Sequence, residues 1–304
     1  MLDPIVALAG LLVGFVVGLT GMGGGALMTP ILVLLFKVEP LMAVSSDIVA
    51  AVIMKPVGGA VHWRHGTVHR QLVLWLMMGS IPAAFLGVIL LRHFGSEKSI
   101  QAVVKTALGV ALLVVAAGLV VRPFLQRKRR PELEVPLEVA RIRTLLIGLL
   151  GGLVVGITSV GSGSLIIIML LMLYPRMRLS ELVGTDLVQA IPLVASAALA
   201  HLMFGEFHFA LTASILIGSI PGVFIGARFS ARAPDYVIRP ALVVVLTASA
   251  LKLLRVDTML VGAVAALMTL LMLTLSVTAA HRAGRIAAAA KAEVSGPILS
   301  NGQG

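Results

Sequence analysis

No cysteine occurs in the 304 residues, and only 12% of them are charged. The first absence excludes disulfides, zinc–thiolate centres, iron–sulfur clusters and cysteine nucleophiles. The second excludes an ordinary soluble domain, in which about a quarter of the residues carry charge. Aromatic residues are scarce too: two Trp and two Tyr supply only a thin belt for a bilayer interface. No Walker-type Gly-Lys-Ser/Thr loop is present, so the chain has no motif for hydrolysing ATP. No charged n-region or small-residue cleavage site precedes the first apolar run, and no removable signal peptide is expected.

What the chain has is hydrocarbon: 59% hydrophobic residues and a mean hydropathy of +1.07. Eleven apolar segments are expected, at 4–20, 25–37, 43–62, 71–91, 99–121, 143–159, 163–174, 182–203, 207–228, 236–253 and 258–280. Several reach the ~20 residues that cross a bilayer as helix, and only helices or closed barrels satisfy their backbone there. The expected class is an all-α integral membrane protein. The net charge of +11 reads as Lys and Arg held on one membrane face, with no nucleic-acid partner. The strongest basic loop, Arg122 to Arg130 followed by Arg141 and Arg143, is placed in the cytoplasm. Alternation then puts Arg64, Arg70, Arg176, Arg178, Arg228, Arg232, Arg239 and the tail with Arg282 and Arg285 inside, and the N-terminus outside. The expected location is the cytoplasmic (inner) membrane.

The stretch Gly18-Leu19-Thr20-Gly21-Met22-Gly23-Gly24-Gly25 puts five glycines into eight residues, a poor helix interior at about 1 kcal/mol each. It recurs as Gly156-Ile157-Thr158-Ser159-Val160-Gly161-Ser162-Gly163. The two halves align throughout. An offset of 138 carries Gly14, Gly18, Thr20, Gly23 and Gly25 onto Gly152, Gly156, Thr158, Gly161 and Gly163. An offset of 139 carries Asp47, His62, Gly66, His69, Gly79-Ser80-Ile81-Pro82 and Gly87 onto Asp186, His201, Gly205, His208, Gly218-Ser219-Ile220-Pro221 and Gly226. Each half holds five segments, an odd number, so the second enters the membrane upside down. The expectation is two inverted-topology repeats plus one extra C-terminal helix. The division is 1–122 (first repeat), 123–142 (basic linker), 143–254 (second repeat), 255–281 (added transmembrane helix) and 282–304 (basic, partly disordered tail). Inverted repeats with a short, Gly-interrupted segment in each half point to a transporter site between broken helices.

These motifs together resemble the TauE/SafE family of membrane permeases: the Gly18–Gly25 stretch with Pro30 after it, its degenerate second copy, and Gly79-Ser80-Ile81-Pro82 followed by Gly87. The resemblance spans about residues 5–254. It implies export of small sulfur-containing anions such as sulfite, sulfoacetate or related organosulfonates, driven by the proton gradient. The chain departs from that pattern in its extra C-terminal segment, and in Asp47 and Asp186 where small or neutral polar residues are expected.

Residues that carry such a function can be named. Helix breaks expose backbone N–H groups and the positive end of a helix dipole, both suited to an oxyanion. The expected substrate-binding set is Thr20, Gly21, Met22, Gly23, Gly24, Gly25, Lys55, Thr158, Ser159, Gly161, Ser162, Gly163 and Gln189, with Ser164 as a further hydroxyl donor. The competing reading of the glycines is close helix packing, which suits Gly14, Gly18, Gly152 and Gly156 best. Asp47 and Asp186 read either as helix N-caps or as proton-coupling carboxylates. Lys55 lies mid-segment, too deep to snorkel, and reads as an anion counter-charge. A pair with Asp47 two turns away, about 12 Å along a helix, is the alternative. Gln189 follows Asp186 by one turn. His62, His65 and His69 share a loop with Arg64 and Arg70, which repels metal ions, so no metal site and no cofactor is expected. Pro82 and Pro221 read as helix kinks. The expected partners are a small anion, the lipid bilayer and, for oligomers, a second copy of the chain. The alternatives to a secondary transporter are a passive anion channel and an intramembrane hydrolase built on Ser162 and His201; the chain is not expected to be an enzyme.

Overall fold

The computed structural model describes residues 3–20, 24–93, 96–127, 138–203, 207–229 and 235–271. Gly21, Met22 and Gly23, most of the basic linker and the C-terminal tail lie outside the described residues. Among those described, every regular element is helical. In chain order they are α1 (Pro4–Thr20), α2 (Gly25–Leu34), α3 (Pro40–Arg64), α4 (Arg70–Arg92), α5 (Glu97–Arg127), α6 (Arg141–Thr158), α7 (Leu165–Leu173), α8 (Leu179–Met203), α9 (Phe209–Phe229) and α10 (Asp235–Leu253). A last helical segment, Thr258–Leu271, runs to the end of the described residues.

Local chemistry sets several starts. Asp3 caps α1, its Oδ1 accepting from the N–H groups of Ile5 and Val6 at 2.8 and 3.3 Å, with Pro4 in the first helical position. Pro40 opens α3, and His69 caps α4 by accepting from Leu72 N. Six helices, α3, α4, α5, α6, α8 and α9, are long and apolar enough to cross a bilayer. Their outer faces are apolar as well: Leu74, Met78, Leu86 and Leu90 on α4, and Ile142, Leu146, Leu149 and Leu150 on α6, are exposed. Such faces belong in hydrocarbon, and the chain is a multi-pass helical membrane protein.

Helices α1 and α9 pack side by side, as do α4 and α6, α3 and α8, and α5 and α10. The first two pairs touch backbone to backbone. A Cβ at Gly152 or Gly156 of α6 would collide with the carbonyl oxygen of Ser80 or Ala84 on α4. One at Gly14 of α1 would strike Ser219 of α9, and one at Gly226 would strike Phe15. Close packing is thus what Gly14, Gly152 and Gly156 do. Gly79 opposite Leu145 and Gly87 opposite Leu153 make α4 and α6 run in the same direction. Gly10 opposite Ile215 and Gly226 opposite Phe15 do the same for α1 and α9. Helices α3 and α8 run oppositely, since Ser45 meets His201 at one end and His62 lies beside Gly184 at the other.

The two shortest of these ten helices, α2 and α7, are enclosed. In α2 all but two residues are buried, and α7 buries Ile166, Ile167, Leu170 and Leu171. Helices of 10 and 9 residues are marginal alone, so packing holds them. One apolar core wraps α2 with α1, α5 and α10, and a second wraps α7 with α3, α4, α6 and α8.

The backbone contacts predict the outcome of adding one carbon. Gly152→Ala should lower unfolding stability in detergent by about 1–3 kcal/mol, the usual range for overpacking. Gly262→Ala, with nothing within 4 Å of the new Cβ and a helix-interior glycine removed, should not destabilise and should gain up to about 1 kcal/mol. Thermal unfolding followed by size-exclusion chromatography checks both, and equal midpoints would contradict the close approach of α4 and α6.

Candidate functional site between the helix breaks

The chain leaves α6 through conformations that few side chains tolerate. Ser159 is left-handed at φ 60°, and Gly161 and Gly163 take φ 139° and 88°, where glycine avoids the steric cost. Thr158 Oγ1 accepts from Val160 N at 3.1 Å and donates to Val154 O at 2.6 Å, pinning the end of α6. The loop from 159 to 164 then delivers Ser159 and Ser162 to one buried polar cluster.

Lys55 of α3 is 8% exposed and donates from Nζ to Ser162 Oγ at 2.6 Å. The carboxylates acting on its charge are Asp186 and, more weakly, Asp47. Asp186 accepts from Gly163 N at 2.5 Å and from Gln189 Nε2 at 2.9 Å. Gln189 Oε1 in turn accepts from Ser80 Oγ at 3.1 Å. Asp186, Gln189 and Ser80 have no exposed surface. On the other side, Asp47 Oδ2 accepts from Thr29 Oγ1 at 3.1 Å and from Ser159 Oγ at 2.6 Å. A Cβ at Gly25 would collide with the Ser159 carbonyl, and one at Gly24 would lie 3.9 Å from Asp47 Oδ1. The start of α2 therefore faces the break between α6 and α7.

Of the expected set, Gly24, Gly25, Lys55, Ser159, Ser162, Gly163 and Gln189 meet here with Asp47 and Asp186. Thr158 shapes the break without pointing its hydroxyl into the cluster, and Gly161 supplies a backbone turn. Thr20 turns its hydroxyl back to Val16 O at 2.8 Å. Gly21, Met22 and Gly23 fall outside the described residues. Asp47 and Asp186 are not N-caps: α3 starts at Pro40 and α8 at Leu179, about two turns earlier. Lys55 hydrogen-bonds Ser162, not Asp47. A Ser162–His201 dyad is not formed either, because His201 is bonded to Ser45 and to the Gly156 carbonyl. Ser80 and Thr29 were not singled out from sequence; Ser80 stands in the repeated Gly79-Ser80-Ile81-Pro82, which was the available signal. A groove of about 600 Å³ between α5, α6 and α7 is almost wholly apolar, lined by Val110, Val114 and Leu153, and Thr158 and Leu165 in its wall adjoin the break.

A helical bundle in which a buried lysine and two buried carboxylates converge on an interrupted helix has the organisation of a membrane transporter. The family follows from comparison: the chain belongs to the sulfite exporter TauE/SafE family, whose model matches residues 6–253. It is 42% identical over 252 residues to the "probable membrane transporter protein YjnA" of Bacillus subtilis (strain 168), covering 82% of this chain and 98% of that protein. It is 23% identical over 240 residues to the "probable membrane transporter protein YdhB" of the same organism, covering 78% and 94%. No solved structure matches the chain significantly.

The cluster predicts energetic coupling between Lys55 and Asp186. Lys55→Met strands a buried carboxylate and should cost about 3–5 kcal/mol. Adding Asp186→Asn to it should restore part of that loss, giving a coupling of about 0.5–3 kcal/mol in a double-mutant cycle of unfolding. Strictly additive effects would separate the two charges.

Proposed function

We propose that the protein is a secondary transporter that exports a small anion, such as sulfite, sulfoacetate or a related organosulfonate, across the cytoplasmic membrane in exchange for or together with protons. The observation that carries this reading is the buried Lys55 held to Ser162 at a helix break. A cation there, beside hydroxyls and the backbone N–H of Gly163, forms a receptor for an oxyanion. In the conformation described, the Asp186 carboxylate accepts from that N–H and so occupies an anion's place. Protonating Asp186 frees the amide and the Lys55 charge for substrate, which ties proton binding to anion binding. Asp47, bridged by Thr29 and Ser159 between α2 and the α6–α7 loop, is the second coupling carboxylate.

The repeat architecture belongs to the same reading. Shifting each helix by five maps the pair α1–α9 onto α6–α4, leaves α3–α8 and α5–α10 unchanged, and maps α2 beside α3 onto α7 beside α8. That pattern, with parallel α1–α9 and antiparallel α3–α8, supports two inverted repeats about an in-plane pseudo-two-fold. The N-terminus is outside, the 123–142 linker inside and the eleventh segment an appendage. The inner-membrane location and orientation rest on the distribution of Lys and Arg.

Purified protein in liposomes tests this directly. An imposed pH gradient should drive sulfite or an organosulfonate uphill, and flux indifferent to pH would favour a passive channel instead. Lys55→Ala should abolish transport while inserting normally, and Asp47→Asn or Asp186→Asn should leave flux that no longer follows pH. Retained transport in Lys55→Ala would remove Lys55 from the site.

The Lys55–Ser162 contact is also the arrangement of a serine–lysine dyad. On the transport reading a fluorophosphonate probe leaves Ser162 unmodified. Covalent labelling that disappears in Ser162→Ala would redirect the assignment to an intramembrane hydrolase.

A further inference from the structure

His201 lies inside α8 with 1% of its surface exposed, between two other helices. Its Nε2 is 2.9 Å from the carbonyl oxygen of Gly156 at the end of α6. Its Nδ1 is 2.8 Å from Ser45 Oγ in α3. Ser45 Oγ is in turn 2.8 Å from the carbonyl oxygen of Leu41.

These three contacts fix where the protons go. A carbonyl only accepts, so Nε2 carries hydrogen and donates to Gly156. Leu41 also only accepts, so the single hydroxyl proton of Ser45 points at it. Ser45 Oγ can then only accept from the ring, which places a second hydrogen on Nδ1. A neutral ring would need the Ser45 proton for itself and would leave the hydroxyl oxygen facing the Leu41 carbonyl with no hydrogen between them.

We infer that His201, Ser45 and the Gly156 carbonyl form a buried proton-binding site, occupied as imidazolium in the conformation described and separate from the Asp47 and Asp186 carboxylates. The ligand is a proton and nothing else is transferred. On binding, Nδ1 takes the proton and the Ser45 hydroxyl swings from the ring to Leu41. On release, the hydroxyl swings back. Two charge-assisted hydrogen bonds offset part of the cost of burying the ring's charge. The site joins α8 to α3 and to the last turn of α6, three residues before Ser159, so the ring's charge strengthens the hydrogen bond from Nε2 to Gly156 beside the helix break. The proposal rests on the transport reading only for its consequence in anion flux, not for proton binding itself.

Among the described residues, the helices packed on α8 bring these charged groups. Helix α3 brings Asp47, Lys55 and, at its far end, His62 and Arg64. Helix α4 brings Arg70 and Arg92 at its two ends, and α6 brings Arg141 and Arg143 at its start. Helix α7 has no ionisable residue, and α8 itself carries Glu181 and Asp186 toward its other end. Asp47 lies on α3 two residues from Ser45 and is bonded to Ser159, while Asp186 shares α8 with His201.

Nitrogen NMR on protein labelled at histidine in lipid tests the assignment, with the His201 signals identified by their loss in His201→Gln. The expected result is two protonated ring nitrogens at acidic pH and loss of the Nδ1 proton alone as pH rises. Ser45→Ala, which removes the acceptor, should shift that loss to lower pH, whereas His93→Gln on the surface should shift nothing. A His201 ring that keeps one proton throughout, or one that titrates identically in Ser45→Ala, would overturn the proposal. His201→Gln, in which the amide nitrogen can keep the bond to Gly156, should fold and lose one titrating step from the pH profile of anion flux. An unchanged profile refutes the link to the break. If the ring titrates as expected while wild-type flux is blind to pH, the proton-coupling reading fails and this site stands.

Discussion

A charge inside a hydrocarbon-wrapped bundle dictates its surroundings. Lys55 sits mid-helix with 8% exposure, and an ion of that kind costs several kcal/mol unless partners compensate it. A helix running unbroken past α3 keeps its interior backbone amides in its own hydrogen bonds. The chain meets the demand by breaking. Residues 159 to 164 leave helical geometry, Ser162 reaches Lys55, and Gly163 turns its N–H to Asp186. The positive φ values of Gly161 and Gly163 are the local cost of that delivery.

Breaking a helix has its own consequence. What remains, α7, is nine residues long and cannot stand alone. It survives because it is apolar on all sides and its inner residues are enclosed by the core around α3, α4, α6 and α8. The same holds for α2, whose ten residues are almost all buried and whose start lies against Ser159. Short length, uniform apolarity and burial are thus one property seen three ways.

Much of this was legible in the residues. The first ten expected segments fall on α1 to α10 within three residues, except that α5 runs six residues longer, because hydrocarbon thickness and charge at helix ends leave little freedom; the end of the eleventh lies outside the described residues. The two short segments and the glycine stretches marked the break, since five glycines in eight residues have no place in an ordinary helix. Less could be read where function depends on a partner far along the chain. Asp47 and Asp186 follow hydroxyl residues, which resembles a cap, but Pro40 and Leu179 start their helices two turns earlier. The partners of Asp47, Thr29 and Ser159, stand 18 and 112 residues away. His201 reads as one of a repeated pair of histidines, and nothing near it in sequence announces Ser45 or the Gly156 carbonyl. Thr20 and Thr158 look like ligand hydroxyls, yet both bond back into their own helix, a choice set by rotamer and local backbone.

The backbone-to-backbone seams carry a mechanical corollary. Helix α1 is bound to α9, and α4 to α6, through carbonyls with no side chains between them. Each seam joins an element from the first half of the sequence to one from the second. The two halves of the chain are therefore interlocked and not separate bodies. A displacement of α1 relative to α9, or of α4 relative to α6, would drive backbone into backbone, so each pair behaves as one stiff unit flanking the α3–α8 pair that bears Lys55, Asp47 and Asp186.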